Sequence, residues 1–225
     1  MAGPSTQLTL ELGAAVGQAV PFSPAEADRA WIALSGRWQV ADPVFLRASY
    51  QALGARWPSG VQSVGSGDLR LGTRARFLAL GPWTGGLDWE VKLPNASNES
   101  GLGTDETDFL ARGWLAWEKE RWILQADTGM AILGDPNQDA AQDDAALVAL
   151  RGAAALGPVW LDARVDGRLP SPRNPPDVEL AAGLSWGPER GRIGLRLEGF
   201  AGLTPAAADG GMRLSVALVP GQDGP

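Results

Sequence analysis

Two neighbouring segments constrain this chain more than any other feature. Leu87, Trp89, Val91 and Leu93 alternate with Asp88, Glu90 and Lys92. Just before them, Leu69, Leu71, Thr73, Ala75, Phe77 and Ala79 alternate with Asp68, Arg70, Gly72, Arg74 and Arg76. A period of two sends successive side chains to opposite faces of a strand. Here one face is apolar and the other is charged rather than merely polar. The charged face requires water or ion pairing, and the apolar face requires a medium that is not water. The fold turns on whether that medium is a protein core or lipid.

The same alternation recurs along the chain. It predicts twelve strands, over 6–18, 30–40, 44–52, 65–80, 87–94, 108–117, 122–133, 145–156, 159–167, 178–186, 192–201 and 212–218. The 145–156 segment is Ala-rich and also compatible with a helix. Strands of about 9–11 residues span a bilayer when tilted. Long Gly/Pro/Ser/Asp-rich breaks (21–28, 54–67, 95–107, 134–144, 169–177 and the stretch after Ala201) take turns with short ones (41–43, 81–86, 118–121, 157–158, 187–191). An up-and-down meander then carries its long loops at one rim and its short turns, with both termini, at the other. That is the organisation of an outer-membrane barrel. The expected fold is all-β, a 12-stranded antiparallel up-and-down transmembrane β-barrel. Residues 1–225 form one domain, with 1–5 and 219–225 as flexible tails.

Composition narrows the function. The chain has no cysteine and no histidine, which removes disulfides, cysteine metal sites, the commonest zinc ligand and the commonest general base. A net charge of −7 argues against a nucleic-acid partner. No apolar run reaches the ~18 residues of a transmembrane helix. Met1-Ala-Gly-Pro has neither the basic start nor the apolar core of an export leader, which taken literally means cytoplasm; a mature exported product fits equally well, and the strand pattern favours it, with the bacterial outer membrane as the expected location.

Tryptophan placement favours lipid. Trp38, Trp83, Trp117, Trp122, Trp160 and Trp186 lie at or near the short-turn rim, where an aromatic girdle meets the headgroups. Width also favours it. Side chains fill an eight-stranded interior, whereas a 12-stranded one is too wide to fill, so the apolar face points outward. The opposing arrangement is a soluble two-sheet sandwich with an apolar core. With lipid outside, the charges face a wet lumen. The pore-lining candidates are Arg70, Arg74, Arg76, Asp88, Glu90, Lys92, Arg112, Asp127, Arg164 and Arg196. Opposite charges on adjacent strands attract, as Arg70, Arg74 and Arg76 do beside Asp88 and Glu90. The expected partners are the bilayer and small-molecule solutes.

No catalytic residues, metal site or cofactor are expected. Barrel hydrolases built on a Ser-His dyad or an Asp-His pair are excluded by the absence of histidine. Carboxylates such as Asp88 and Glu90 share their wall with many arginines, which argues against a role as an acid–base pair. The acidic run 135–144 matches no calcium-loop spacing.

Three motifs carry a resemblance. Gly65-Ser-Gly-Asp-Leu-Arg-Leu-Gly72, Trp89-Glu-Val-Lys-Leu-Pro94 and Gly101-Leu-Gly-Thr-Asp-Glu-Thr-Asp-Phe109 resemble the outer-membrane channel family named for the MetA pathway of phenol degradation. The resemblance covers residues 65–133 and rests on architecture elsewhere. The chain departs from the family pattern with Pro94-Asn-Ala in place of Pro-Thr-Gly, and in lacking a terminal aromatic. The resemblance implies passive uptake of small, often hydrophobic or aromatic molecules, with no catalytic residues. A non-conducting structural or surface-binding barrel is the alternative, and a soluble β-sandwich carrier the third.

Overall fold

A computed structural model describes residues 6–19, 26–96, 102, 105–134, 142–170, 175–187 and 193–219. Twelve strands close into one antiparallel barrel, each pairing with its sequence neighbours and β1 with β12. They are β1 Thr6–Ala19, β2 Glu26–Ala41, β3 Val44–Arg56, β4 Gln62–Leu80, β5 Trp83–Leu93 and β6 Asp108–Lys119 in the first half. β7 Trp122–Gly134, β8 Gln142–Leu156, β9 Val159–Arg168, β10 Asp177–Trp186, β11 Ile193–Gly202 and β12 Gly210–Leu218 complete it. The sandwich arrangement is thereby excluded. The expected tails at 1–5 and 219–225 lie outside the described residues, apart from Val219.

Exposure is inverted relative to a water-soluble fold. Leu34, Trp89 and Leu150 are 58%, 67% and 65% exposed, whereas Lys92 and Glu198 are each 4% exposed. The exposed apolar side chains ring the outside in phase, strand after strand. Such a belt is stable only against hydrocarbon. Closure satisfies every strand edge, which an edge inside a membrane requires.

Turn chemistry fixes the short rim. Four connections are two residues long: Asp42-Pro43, Gly81-Pro82, Glu120-Arg121 and Gly157-Pro158. Gly81, Glu120 and Gly157 have positive φ at the first turn position, as a tight hairpin matched to strand twist demands. The β10–β11 connection, spanning 187–192, departs from this economy.

Several strands outrun the alternation. The expected 54–67 loop is mostly strand, because β3 and β4 continue as a paired hairpin to Arg56 and Gln62. The expected 81–86 break shrinks to Gly81-Pro82, since Trp83 already pairs with Leu80. Glycine and serine lack the pattern that reveals a strand in sequence, yet the ladder accepts them. β4 is also irregular between Arg76 and Leu78, so Leu78 and Leu80 point to lipid and Ala79 takes the inner phase. The Ala-rich segment is strand β8, and pairing to both neighbours overrides its helix propensity.

Some glycines are required by close approach of adjacent strands. A Cβ on Gly129 would strike the Ala111 carbonyl oxygen, and one on Gly86 the Ala75 carbonyl oxygen. Gly129→Ala is expected to cost about 2–3 kcal/mol. The check is the fraction of protein that keeps the compact, heat-modifiable mobility on electrophoresis. Wild-type behaviour would show that the ladder absorbs the methyl group.

Candidate lumen and its charge network

The inner wall is made by the charged phase of each strand, and closure sorts it into two ion-pair networks. In the first, the Arg47 guanidinium on β3 spans β4 to reach β5. It meets both oxygens of Asp88 at 2.7 and 3.0 Å and Glu90 at 3.1 Å. Gly72 permits this, because a side chain there would occupy the space of Arg47. Arg70 bonds Glu90 at 2.8 Å. Arg74 stands out from the wall: its guanidinium stacks 4.0 Å over Trp114 of β6 and donates to Gln125 of β7 at 3.3 Å. Gln125 in turn donates to both oxygens of buried Asp127 at 2.9 Å. Arg74 is thus a bar along the inside, three strands from where it starts.

The second network gathers on Glu198. Arg164 of β9, Arg196 of β11 and Arg213 of β12 all donate to this carboxylate, at 3.0, 2.5 and 2.5 Å. Arg213 also holds Glu179 at 2.9 Å, Arg164 holds Asp166 at 2.5 Å, and Arg196 reaches Asp162 at 2.7 Å. Gly183 of β10 sits between these partners, so arginines two strands away can cross it. A cavity of about 660 Å³ opens on this side, between Glu11, Arg213 and Ser215 on one wall and Gln125, Arg151 and Arg164 on the other.

The expected pore-lining residues therefore take different places. Arg70, Asp88, Glu90 and Arg112 line one small cavity of about 190 Å³ with Arg47 and Leu110, and Arg164 and Arg196 line the large one. Arg74 and Asp127 belong to the bar. Arg76 sits at the short-turn rim, paired with Asp42 at 2.9 Å, and lines none of these cavities. Lys92 is buried between Asp108 at 2.7 Å and Asp68 at 3.7 Å, where it anchors structure. Of the expected girdle, Trp38, Trp83, Trp117, Trp122 and Trp186 share the lipid-facing phase, with Trp83 directly opposite Trp117. Trp160 pairs with Ser185, in phase with Asp162 and Arg164, and so lies on the inner side.

Other inner residues escape the alternation. Arg151 faces inward from the Ala-rich β8 and reaches Asp166 at 3.3 Å. Trp31 is the least legible, because its neighbours Ala30 and Ile32 are apolar too. It lies over Gly13, donates Nε1–H to Glu11 at 2.8 Å, and sits 6.4 Å from the Phe200 ring. Arg213 stacks on Phe200 at 4.1 Å. Guanidinium–aromatic stacking is favourable when partly desolvated, and it holds these aromatics inside a charged wall.

Two long connections enter the barrel mouth. Ala96 and Leu102, from the 94–107 connection, are buried against Ala27, Leu53 and Ala55 of the β2–β3 inner face, with Trp31 and Trp57 alongside. Asp68 fixes the start of this connection by accepting from the Asn95 and Ala96 amides at 3.3 and 3.1 Å. Across the bore, Ala208 of the 203–209 connection packs with Ala15, Ala181 and Phe200, again beside Trp31. Trp31 therefore touches both apolar clusters, and the long-loop end of the lumen is narrowed by folded chain. Among the described residues, no group of three or more acids or other ligating side chains forms a metal site. The acidic run at 135–144 is outside the described residues up to 141.

No protein-family model matches the sequence, and no curated protein sequence matches it. Solved structures do. The chain is similar to an outer-membrane channel from Pseudomonas putida F1, at 11% identity and a TM-score of 0.73, with 98% of this chain and 97% of that one covered. It is similar to the NanC porin at 11% identity and 0.62, covering 94% and 98%. It is also similar to outer-membrane phospholipase A of Escherichia coli at 13% identity and 0.51, covering 96% and 90%. At such identities the likeness is one of fold, a closed antiparallel barrel with a lipid-facing exterior, shared by channels and an enzyme alike.

Proposed function

We propose that this protein is a bacterial outer-membrane channel for passive diffusion of small solutes. The observation that carries this reading is a charged, cavity-bearing inner wall enclosed by an exposed apolar belt. A water-filled passage is the use to which such a wall is suited, since its ions would otherwise be buried at a cost. The fold shared with the Pseudomonas putida channel and the NanC porin supports it. The likeness of residues 65–133 to the phenol-degradation channel family extends the proposal to hydrophobic or aromatic solutes.

A second reading, a non-conducting structural barrel, is favoured by the two connections tucked into the mouth. Planar-bilayer recording separates the two. Purified, folded protein is expected to give discrete current steps. Arg74→Ala, which removes the bar between β4 and β7, is expected to enlarge them by about twofold or more, because the narrowest section governs conduction. Absence of steps from both proteins would establish the non-conducting barrel.

A further inference from the structure

The inner wall of β1–β4 carries a patch in which Arg37 stands outside both ion-pair networks, while Arg47 and Arg70 are held by the first. Two rows cross it by register. Thr9, Ser35, Ser49 and Arg70 face one another in turn, and beside them run Gln7, Arg37, Arg47 and Gly72. Every polar member of these rows offers a hydrogen-bond donor, and none is an acid. Their polar members line a cavity of about 300 Å³ in which Glu90 is the single carboxylate among the described residues.

Arg37 and Arg47 stand directly opposite each other on adjacent strands. Like charges in that position repel. Arg47 is relieved by Asp88 and Glu90. Arg37 stacks 4.0 Å over Phe45 and has no carboxylate within ion-pair distance among the described residues. Arg47 is turned toward β5 by its bonds to Asp88 and Glu90, so the group left without an anion is the Arg37 guanidinium. Planar guanidiniums bind carboxylates through paired, charge-assisted hydrogen bonds, and the hydroxyls of Ser35 and Ser49 lie on the same wall to take the remaining lone pairs.

We infer that this patch is a binding subsite for the carboxylate of a small organic acid. Its volume matches the small end of ligand pockets, and its place near the β2–β3 turn puts it at the short-turn end of the lumen. The inference rests on the proposed wet lumen, and it names the solute class that lumen would hold.

The test is equilibrium dialysis of labelled benzoate against the folded barrel in neutral detergent, which reads binding whether or not the barrel conducts. Benzoate is expected to bind saturably, and the neutral isostere benzamide is not. Arg37→Gln is expected to weaken benzoate about tenfold, as loss of a charge-assisted contact does. Ser35→Ala with Ser49→Ala is expected to weaken it about threefold, in a variant that keeps all charges. Arg121→Gln, on the β6–β7 turn, is expected to bind as wild type does. Folded-form mobility on electrophoresis is recorded for each variant. Equal affinity for benzoate and benzamide, undiminished benzoate binding by folded Arg37→Gln, or tighter binding of inorganic phosphate than of benzoate would each overturn the assignment.

Discussion

Replacing Glu198 with alanine is expected to deprive the barrel of its stable folded form. Glu198 is 4% exposed and accepts from three guanidiniums carried by β9, β11 and β12. Its removal would leave Arg164, Arg196 and Arg213 converging on a space without an anion. Asp162, Asp166 and Glu179 each retain one or more of these arginines, but none occupies the centre. Breaking a buried ion pair by removing one partner costs about 3–5 kcal/mol, mostly through the charge left behind. Three cations left around one site put this variant at the upper end of that range. Glu198→Gln keeps an acceptor oxygen in place and loses only the charge, so its cost is expected to be smaller. Urea titration in detergent, read by the heat-modifiable mobility shift, measures both. A midpoint for Glu198→Ala equal to wild type would mean that lumen water solvates the arginines as well as the carboxylate does.

Placing a charge on Leu102 is expected to open the mouth. This side chain is 5% exposed and packs against Leu53, Ala27 and Ala55 on the inner face of β2–β3, beyond β4 from its own β5–β6 connection. Burial of a leucine stabilises by about 1.5–3 kcal/mol. An aspartate in that site would lose this and would also have to shed its hydration. The low-cost outcome is release of the connection into the water beyond the rim, while Lys92 continues to hold its base between Asp68 and Asp108. Leu102→Asp is therefore expected to raise single-channel conductance by about twofold or more and to make the connection sensitive to added protease. Unchanged conductance together with unchanged protease resistance would show that Leu102 does not hold the connection in place.

How much of this was legible in the sequence follows from the range of each interaction. Alternation is a property of one strand, so 87–93 and 159–167 declare both faces without help from the rest of the chain. Where the strand is mostly glycine, serine and alanine, as in 62–67 and 145–156, there is little contrast between faces. Arg151 was hidden for that reason. The irregularity after Arg76 was hidden because Phe77 and Leu78 are both apolar, so the sequence offers no mark where the phase inverts. Trp160 looked like a girdle residue by its place near a turn, although the alternation of 159–167 sets it in phase with Asp162 and Arg164, and its pairing with Ser185 agrees with that inner side. Trp31 sits among apolar neighbours, and nothing local distinguishes a tryptophan facing lipid from one stacked over a glycine in the lumen.

The strand count, the antiparallel order, the outward apolar face and the exclusion of histidine chemistry were determined by sequence alone. Each depends on local periodicity, on turn residues or on a residue type being absent. Which charges meet was decided only by tertiary structure. Arg47 finds Asp88 across Gly72, and Arg196 finds Asp162 across Gly183, because closing the sheet staggers strands and lays long side chains over a glycine to the strand beyond. The two connections that narrow the mouth were decided there as well. A polar connection with one leucine reads as solvated chain until an apolar patch on neighbouring strands, made by Leu53, Ala27 and Ala55, comes within its reach.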